Sequence, residues 1–391
     1  GIYTVNVEKS NAGFSKASRT NVQLSTAQTV KLDIAMQAGG ASDTVTVTAD
    51  AAALQTTNAT VGGQVNERIV QTLPNITHNP FAYVALQAGV TPRGAFNNTQ
   101  STTSFGIGID GRRQASAIGI NGGSAFSNDI VLDGVSVQGS AWNEVAVLPN
   151  QDALQEVKTI TNNYSAEYGR AQGVVVFTTK GGSNEYHGSG FWRIRNEALN
   201  ANSFSNNAAN IARGPFKSHT YGGTMGGRII RDKAFFFASY EGLEFNRNYD
   251  FLKTVPTAKE RNGDFSELLP STQLKIPAGF GTLSGTNAPN NNLTPYVNPI
   301  GKVLMNLYPL PNSNLSGSNY VSVATQTQHR VDFKTRIDYK FSDNTNMYVR
   351  VTRETQNEVN PYGIWWGPST FELPSANEQK DLGRSVAVGV G

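Results

Sequence analysis

Side chains able to do bond chemistry are few in this chain and lie far apart. The four histidines, His78, His187, His219 and His329, show no metal-ligand spacing and read as solvated or packing residues. His187 and His329 are predicted on polar strand faces. Glu241 and Glu244 are the nearest approach to paired carboxylates, in a segment that reads as a strand end. There is no cysteine, hence no disulfide framework, thiolate ligand or sulfur nucleophile. No G-x-S-x-G, P-loop or H-E-x-x-H occurs. Gly122-Gly123 and Gly226-Gly227 lack the following helix that would aim amides at a phosphate. The residues therefore predict no enzyme, no metal site and no cofactor. Arginines are more suggestive: Arg112, Arg113, Arg170 and Arg228 carry forks that suit carboxylates across a polar interface, and equally suit an ordinary surface. Trp365 and Trp366, beside Pro361 and Pro368, suit a membrane-interface anchor or a ligand-stacking surface.

The elements that must position these residues are mostly strands. The 391 residues suffice for more than one domain, and a net charge of +3 without basic runs argues against nucleic acid. No stretch approaches the roughly 18–20 consecutive apolar residues of a membrane helix. A transmembrane β-barrel would leave the same trace, because half of each strand faces water. The 39 glycines suit a β-rich protein with long loops. The chain opens at Gly1 and ends at Gly391 inside strand patterns, so it reads as part of a longer protein, and the lack of a targeting segment carries no information.

Residues 1–39 alternate at Tyr3, Val5 and Val7, at Val22 and Leu24, and at Val30, Leu32, Ile34 and Met36, as the end of a small antiparallel sandwich would. A Gly39-Gly40 joint leads to Asp43-Thr44-Val45-Thr46-Val47-Thr48-Ala49, an alternating strand with an edge open to pairing, or else the last strand of the sandwich. From about 59 to 182 the pattern is mixed, with helices predicted over 66–73 and 80–87 and a short helix before a strand near 154. Asp129 to Leu132 reads as a buried strand ending in the turn Asp133-Gly134. Amphipathic strands follow, about six in all. In Val331 to Phe341, Phe333, Ile337, Tyr339 and Phe341 share one face, while Lys334, Arg336, Asp338 and Lys340 share the other. Phe191 falls on a polar face, Arg384 on an apolar one, and Phe235-Phe236-Phe237 has no assignable face. A tight turn is predicted at 342–345, and residues 248–328 form one long irregular loop with a short helix near 299–310.

Several segments carry a family resemblance. Gly1 to Met36 resembles a carboxypeptidase-regulatory-like sandwich, and Asp43 to Ala49 resembles a TonB box. LPNITHNPFAYVALQAGV, DIVLDGV and above all AEYGRAQGVVVFTTKGGSN resemble the plug of Oar-like TonB-dependent outer-membrane receptors, and TVPTAKERNGDFSELL resembles one of their loops. The resemblance implies a mainly β chain: a sandwich tail (1–39), a linker with the box-like segment (40–58), an α+β plug (59–182) and the first part of an antiparallel transmembrane barrel (183–391). Family barrels have about 22 strands, so this chain holds a partial one. It also implies an outer membrane of the Gram-negative type, with sandwich and plug on the periplasmic side. The partners implied are a TonB-type energy-transducing protein, outer-membrane lipid and an extracellular ligand, with Arg112, Arg113, Asp133 and Arg170 anchoring or gating the plug. The function implied is energised, gated passage of a scarce or bulky solute. The alternatives are a passive adhesin or secretion-linked scaffold, and a soluble carbohydrate-binding β protein.

Overall fold

The computed structural model describes residues 2–8, 14–24, 30–38, 44–48, 59–75, 78–92, 116–125, 127–139, 143, 145–168, 172–202, 212–313, 317–360 and 377–391. Alternation at the N-terminus forms strands β1 (Ile2–Val7) and β2 (Lys16–Gln23), paired antiparallel. β3 (Thr44–Thr48) lies parallel on β2, with Lys16 opposite Thr44 and Thr20 opposite Thr48. The strand expected over Val30 to Met36 does not form. Those residues alternate in exposure but join no ladder; the segment is tied to its neighbours by the bridge from Phe14 to Ala38, the Ser15 amide donating to the Gln37 carbonyl at 2.9 Å and the Arg19 guanidinium donating to the Asp33 carbonyl at 3.3 Å.

The next unit is a five-stranded sheet built from β4 (Val61–Asn66), β7 (Asp129–Leu132), β8 (Val135–Ser136), β9 (Leu154–Asn162) and β10 (Val174–Thr179), in the order β4-β9-β10-β7-β8. The β10–β7 pair is parallel and the other pairs are antiparallel. Between β4 and β7 come helices α1 (Glu67–Thr72) and α2 (Phe81–Val84) and a separate small pair, β5 (Val90–Pro92) with β6 (Ile118–Ile120). The Asn66 side chain accepts from the Ile69 amide and starts α1, and Pro74 stands two residues beyond its end. The helix expected before β9 is a single 3-10 turn, Gln151–Ala153, capped by Asn150. The β-branched Val157, Thr159, Ile160 and Thr161 favour the strand that begins immediately after it.

One face of this sheet carries the main core. Val65, Val70, Phe81, Ile118, Leu132, Leu154 and Phe177 are buried together, with Phe81 and Phe177 edge to face at 5.2 Å. Burying such side chains contributes about 1.5–3 kcal/mol each. Tyr83 lies in the same cluster, and its hydroxyl donates to the Val70 carbonyl at 2.8 Å. Burial pushes that hydroxyl up to about 12. The opposite face buries Val131, Ile160, Val174 and Val176 under Tyr164 and Tyr168. Strands covered on both faces read as continuous apolar runs, as Val174 to Phe177 does.

The last six strands form one antiparallel meander in chain order: β11 (His187–Asn196), β12 (Phe216–Ile230), β13 (Ala234–Lys253), β14 (Tyr320–Ser342), β15 (Thr345–Asn360) and β16 (Asn377–Val390). The sheet is not closed on itself. Its outer face is apolar and exposed at Trp192, Ile194, Met225, Tyr240, Phe333, Ile337, Val351 and Val386. Its inner face is polar yet buried: Glu241, Arg330, Asp332, Lys334, Arg350, Thr352, Glu354 and Glu358. No helix among the described residues is long and apolar enough to cross a membrane, which says nothing of crossing by strands.

Register settles the faces that alternation leaves open. Phe237 lies opposite Gly226 and is buried inward, whereas Phe236 packs 6.5 Å from the outward Tyr186. Phe191 belongs inward, where it meets the His78 ring at 5.6 Å. His329, expected on the polar face, shares the outer face with Val331 and Phe333 and pairs with Glu244 at 2.5 Å. Glu241 and Glu244 therefore point to opposite sides of the sheet. The long loop is shorter than expected, because β13 runs on to Lys253 and β14 starts at Tyr320. It is also ordered by its own contacts, with helix α3 at Pro299–Met305. The buried Asn291 amide accepts from the Leu274 amide at 2.8 Å and donates to the Thr272 carbonyl at 2.7 Å.

Candidate functional site at the seam between the mixed unit and the six-stranded sheet

The buried charges of the six-stranded sheet are covered by the mixed unit, and the two bodies meet through polar groups. The chain passes from one to the other at Gly181-Gly182. A Cβ on Gly182 would lie 2.4 Å from the Phe236 carbonyl and 2.6 Å from that of Gly227, so only glycine permits this approach.

Asp133 is the most heavily bonded residue of the seam. It occupies the β7–β8 turn with φ 48°, followed by Gly134 at φ 83°. Aspartate tolerates that left-handed conformation better than bulkier residues do. Its carboxylate accepts from the Thr179 amide (2.7 Å) and hydroxyl (2.8 Å), fixing it within its own unit. It then pairs across the seam with Arg350 at 2.9 Å and Arg336 at 3.4 Å, and its carbonyl accepts from the Tyr348 hydroxyl. Arg350 and Asp133 have side chains only 1% and 2% exposed. A pair this dry holds strongly only while both partners are present.

A second cluster brings together residues that the sequence keeps far apart. His78, itself held at φ 56°, approaches Glu241 at 3.4 Å and Asp152 at 3.9 Å. Arg330 bonds the far oxygen of Glu241 at 2.5 Å, and Arg193 lies 3.6 Å from Asp152 and 3.3 Å from His78. His78, Asp152 and Glu241 each offer a ligand atom within 4.8 Å of the others. Two guanidinium groups already balance the two carboxylates, so the cluster is electrically complete as an ion-pair latch. Further links are Lys334 donating to the Leu148 carbonyl at 3.2 Å, Glu354 accepting from the Leu148 amide at 3.1 Å, and Asn150 donating to the Ser239 hydroxyl at 3.3 Å. A cavity of about 980 Å³ opens beside the seam, lined by Glu67, Asp152, Lys180, Arg193, Arg336 and Asp338 among others. Lys180 and Glu67 span its margin at 3.0 Å.

Of the residues singled out in the sequence, Asp133 lies in the seam. Arg228 does not; it bonds the Asn184 carbonyl at 3.0 Å and covers the Tyr186 ring. Thr44, Val45, Thr46, Val47 and Thr48 form β3. Asp43, Ala49, Arg112, Arg113, Arg170, Trp365 and Trp366 lie outside the described residues. Sequence reasoning missed Arg330, Arg350, Glu241, Glu354 and His78 as members of the seam. Alternation over Arg350, Thr352, Glu354, Gln356 and Glu358 is the signal that would have found the β15 set. Nothing in the sequence joins His78 to Glu241.

Comparison with known proteins agrees with this architecture. Residues 178–390 match the family model described as an outer membrane beta barrel domain. The TonB-dependent transporter Oar of Myxococcus xanthus is 26% identical over 254 residues, which cover 61% of this chain and 22% of that protein. This chain thus spans about a fifth of the length of that relative. The crystal structure of the outer membrane transporter YddB from Escherichia coli aligns with a TM-score of 0.51 at 12% identity, covering 84% of this chain and 36% of that one, and shares its fold. A sheet with an apolar outer face and a charged, covered inner face is what such a wall requires. The chain belongs to the outer membrane β-barrel domain family, and its place is the outer membrane of a Gram-negative bacterium.

Proposed function

We propose that the chain is the plug and the first six barrel strands of a TonB-dependent receptor, preceded by a sandwich tail and a TonB-recruiting segment, and that the whole protein passes a scarce or bulky solute under energised gating. The observation that carries this reading is the seam. A folded body with its own dry core sits against the polar lumen side of a membrane wall and is held there by ion pairs and hydrogen bonds. Such contacts are made by geometry and released by rehydration, which suits a plug that must move without unfolding. Asp133 anchors it; Arg112, Arg113 and Arg170 belong to the same proposed set. Ligand is taken by the extracellular loops and outer plug surface, and Trp365 and Trp366 remain proposed ligand contacts or membrane anchors. The Oar relative is named as a TonB-dependent transporter, which supports the proposal. The chemistry is binding and gating, with no bond made or broken in the solute.

A second reading has one observation in its favour. Thr44–Thr48 is paired along its length with β2, as a plain sandwich strand would be, and a passive adhesin or scaffold needs no recruiting segment. The test is binding of the full-length protein in detergent to the periplasmic domain of a TonB protein, with Val45→Pro as control. About micromolar binding that proline abolishes, together with loss of solute-dependent growth, supports the transporter, since proline removes a pairing donor. Absence of binding would favour the scaffold.

A further inference from the structure

Alternation assigns the outward positions of β15 and β16 to lipid, and most fit: Val351, Leu382, Val386, Val388 and Val390 are exposed and apolar. Two do not. Arg384 interrupts the aliphatic run of β16, and the register places it directly opposite Arg353 of β15. Thr352 and Glu354 beside Arg353, and Gly383 beside Arg384, are buried on the inner face, so both arginines emerge on the outer one, where both are exposed. Among the described residues neither makes an ion pair, hydrogen bond or ring contact. Like charges facing each other across two strands repel, and a cation on the lipid face is costly in proportion to its depth. Two unpaired guanidinium groups side by side in such a place call for an anion between them.

Their height points to which anion. Arg353 stands eight residues up the strand from Thr345, at the tight 342–345 turn. At about 3.3 Å per residue and a tilt of about 45°, that is roughly 19 Å of rise in an apolar band about 25 Å tall. The tight turn marks the periplasmic end, and the loop after Lys253 marks the extracellular end. The pair therefore lies toward the extracellular border, and the arginine stem can carry its head to headgroup level. Cβ atoms directly opposite on neighbouring strands are about 4.5–5.5 Å apart, close enough for two forks to share one phosphate.

We propose that Arg353 and Arg384 form a cleft on the outer wall that binds the phosphate of an anionic lipid headgroup in the extracellular leaflet. The cleft rests on the membership of the barrel family and not on the transporter reading, so either can fail without the other. The test uses the full-length protein in mild detergent, titrated with bis-phosphorylated lipid A, with its dephosphorylated form and with inorganic phosphate, and read by native mass spectrometry. The wild type should hold the phosphorylated lipid. Arg353→Gln with Arg384→Gln should weaken it by at least about tenfold per arginine, as expected for charge-assisted bonds. The pair Arg353→Lys and Arg384→Lys should be intermediate, since it keeps charge and loses the fork. Heat-modifiable gel mobility checks folding; should the glutamine pair not fold, the lysine pair and the single variants carry the comparison. Unchanged binding in the variants, or equal binding of dephosphorylated lipid, would overturn the cleft. Inorganic phosphate held as tightly as the lipid would overturn the lipid assignment.

Discussion

The mixed unit has two kinds of boundary, and they are built on opposite principles. Around its sheet the contacts are dry: Phe81, Phe177, Leu132 and Leu154 exclude water from one face, and Val131, Val174 and Val176 do so on the other. Toward the barrel wall the contacts are charged, through Asp133 with Arg350 and Arg336, Asp152 with Arg193, and Glu354 with the Leu148 amide. Apolar packing is non-directional and scales with area, so it resists any separation. A buried ion pair gains little over an apolar substitute and is worth most for the register it imposes. A body with the first kind of boundary inside and the second outside can stay folded while its seat changes. In a fixed domain the two would be expected to merge into one core.

This contrast can be broken from either side. Phe177→Ala should lower the stability of the mixed unit by about 3–5 kcal/mol, measured by denaturant unfolding of the full-length protein, and should leave the heat resistance of the barrel in place. Asp133→Ala strands Arg350 and should loosen the seat by about 3 kcal/mol. Hydrogen exchange would then rise along the seam but not in β9 or β10, and Asp133→Asn, which keeps the turn and an acceptor for Thr179, should lose less than Asp133→Ala. Equal exchange in core and seam would sink the distinction between them. Tyr83→Phe should cost about 1 kcal/mol for the bond to Val70. The raised Tyr83 hydroxyl also gives a pH signature. A phenol whose folded value lies above its unfolded one contributes fully below about pH 10, and its contribution is lost as pH rises toward about 12. The wild type should therefore weaken across that window, and Tyr83→Phe should show less of the decline. The smallest effect should come from Glu244→Gln, since the His329–Glu244 pair is about half exposed on the outer face and should be worth about 0–1 kcal/mol by thermal unfolding.

Much of the fold was legible because period-2 alternation is a local property. Phe333, Ile337 and Phe341 against Lys334, Arg336 and Asp338 announced a wall with two unlike faces, and the structure turns them to those two sides. The Asp-Gly turn at Asp133-Gly134 was legible for the same reason, since its positive φ values are demanded within two residues. Alternation failed where a strand met another body. Phe191 looked misplaced until His78 covered it, and His329 looked inward until its pairing with Glu244 placed it outside. The strand expected at Val30 to Met36 has the right pattern and no ladder, because a pattern supplies an amphipathic edge but not the neighbour that bonds to it.

The sequence by itself determined which residues alternate, where turns and hinges fall, and that charge would line one side of the late strands. Those features follow from backbone geometry and side-chain polarity over a few residues. Tertiary structure alone decided that Asp133 would meet Arg350, that His78 would meet Glu241, and that Arg353 would face Arg384. The first two partners are 217 and 163 residues apart, and the third pair depends on register across two strands. No local propensity encodes which charge answers which. That choice is made when the chain closes loops and removes the partners from water, where a carboxylate without a cation is too costly to bury.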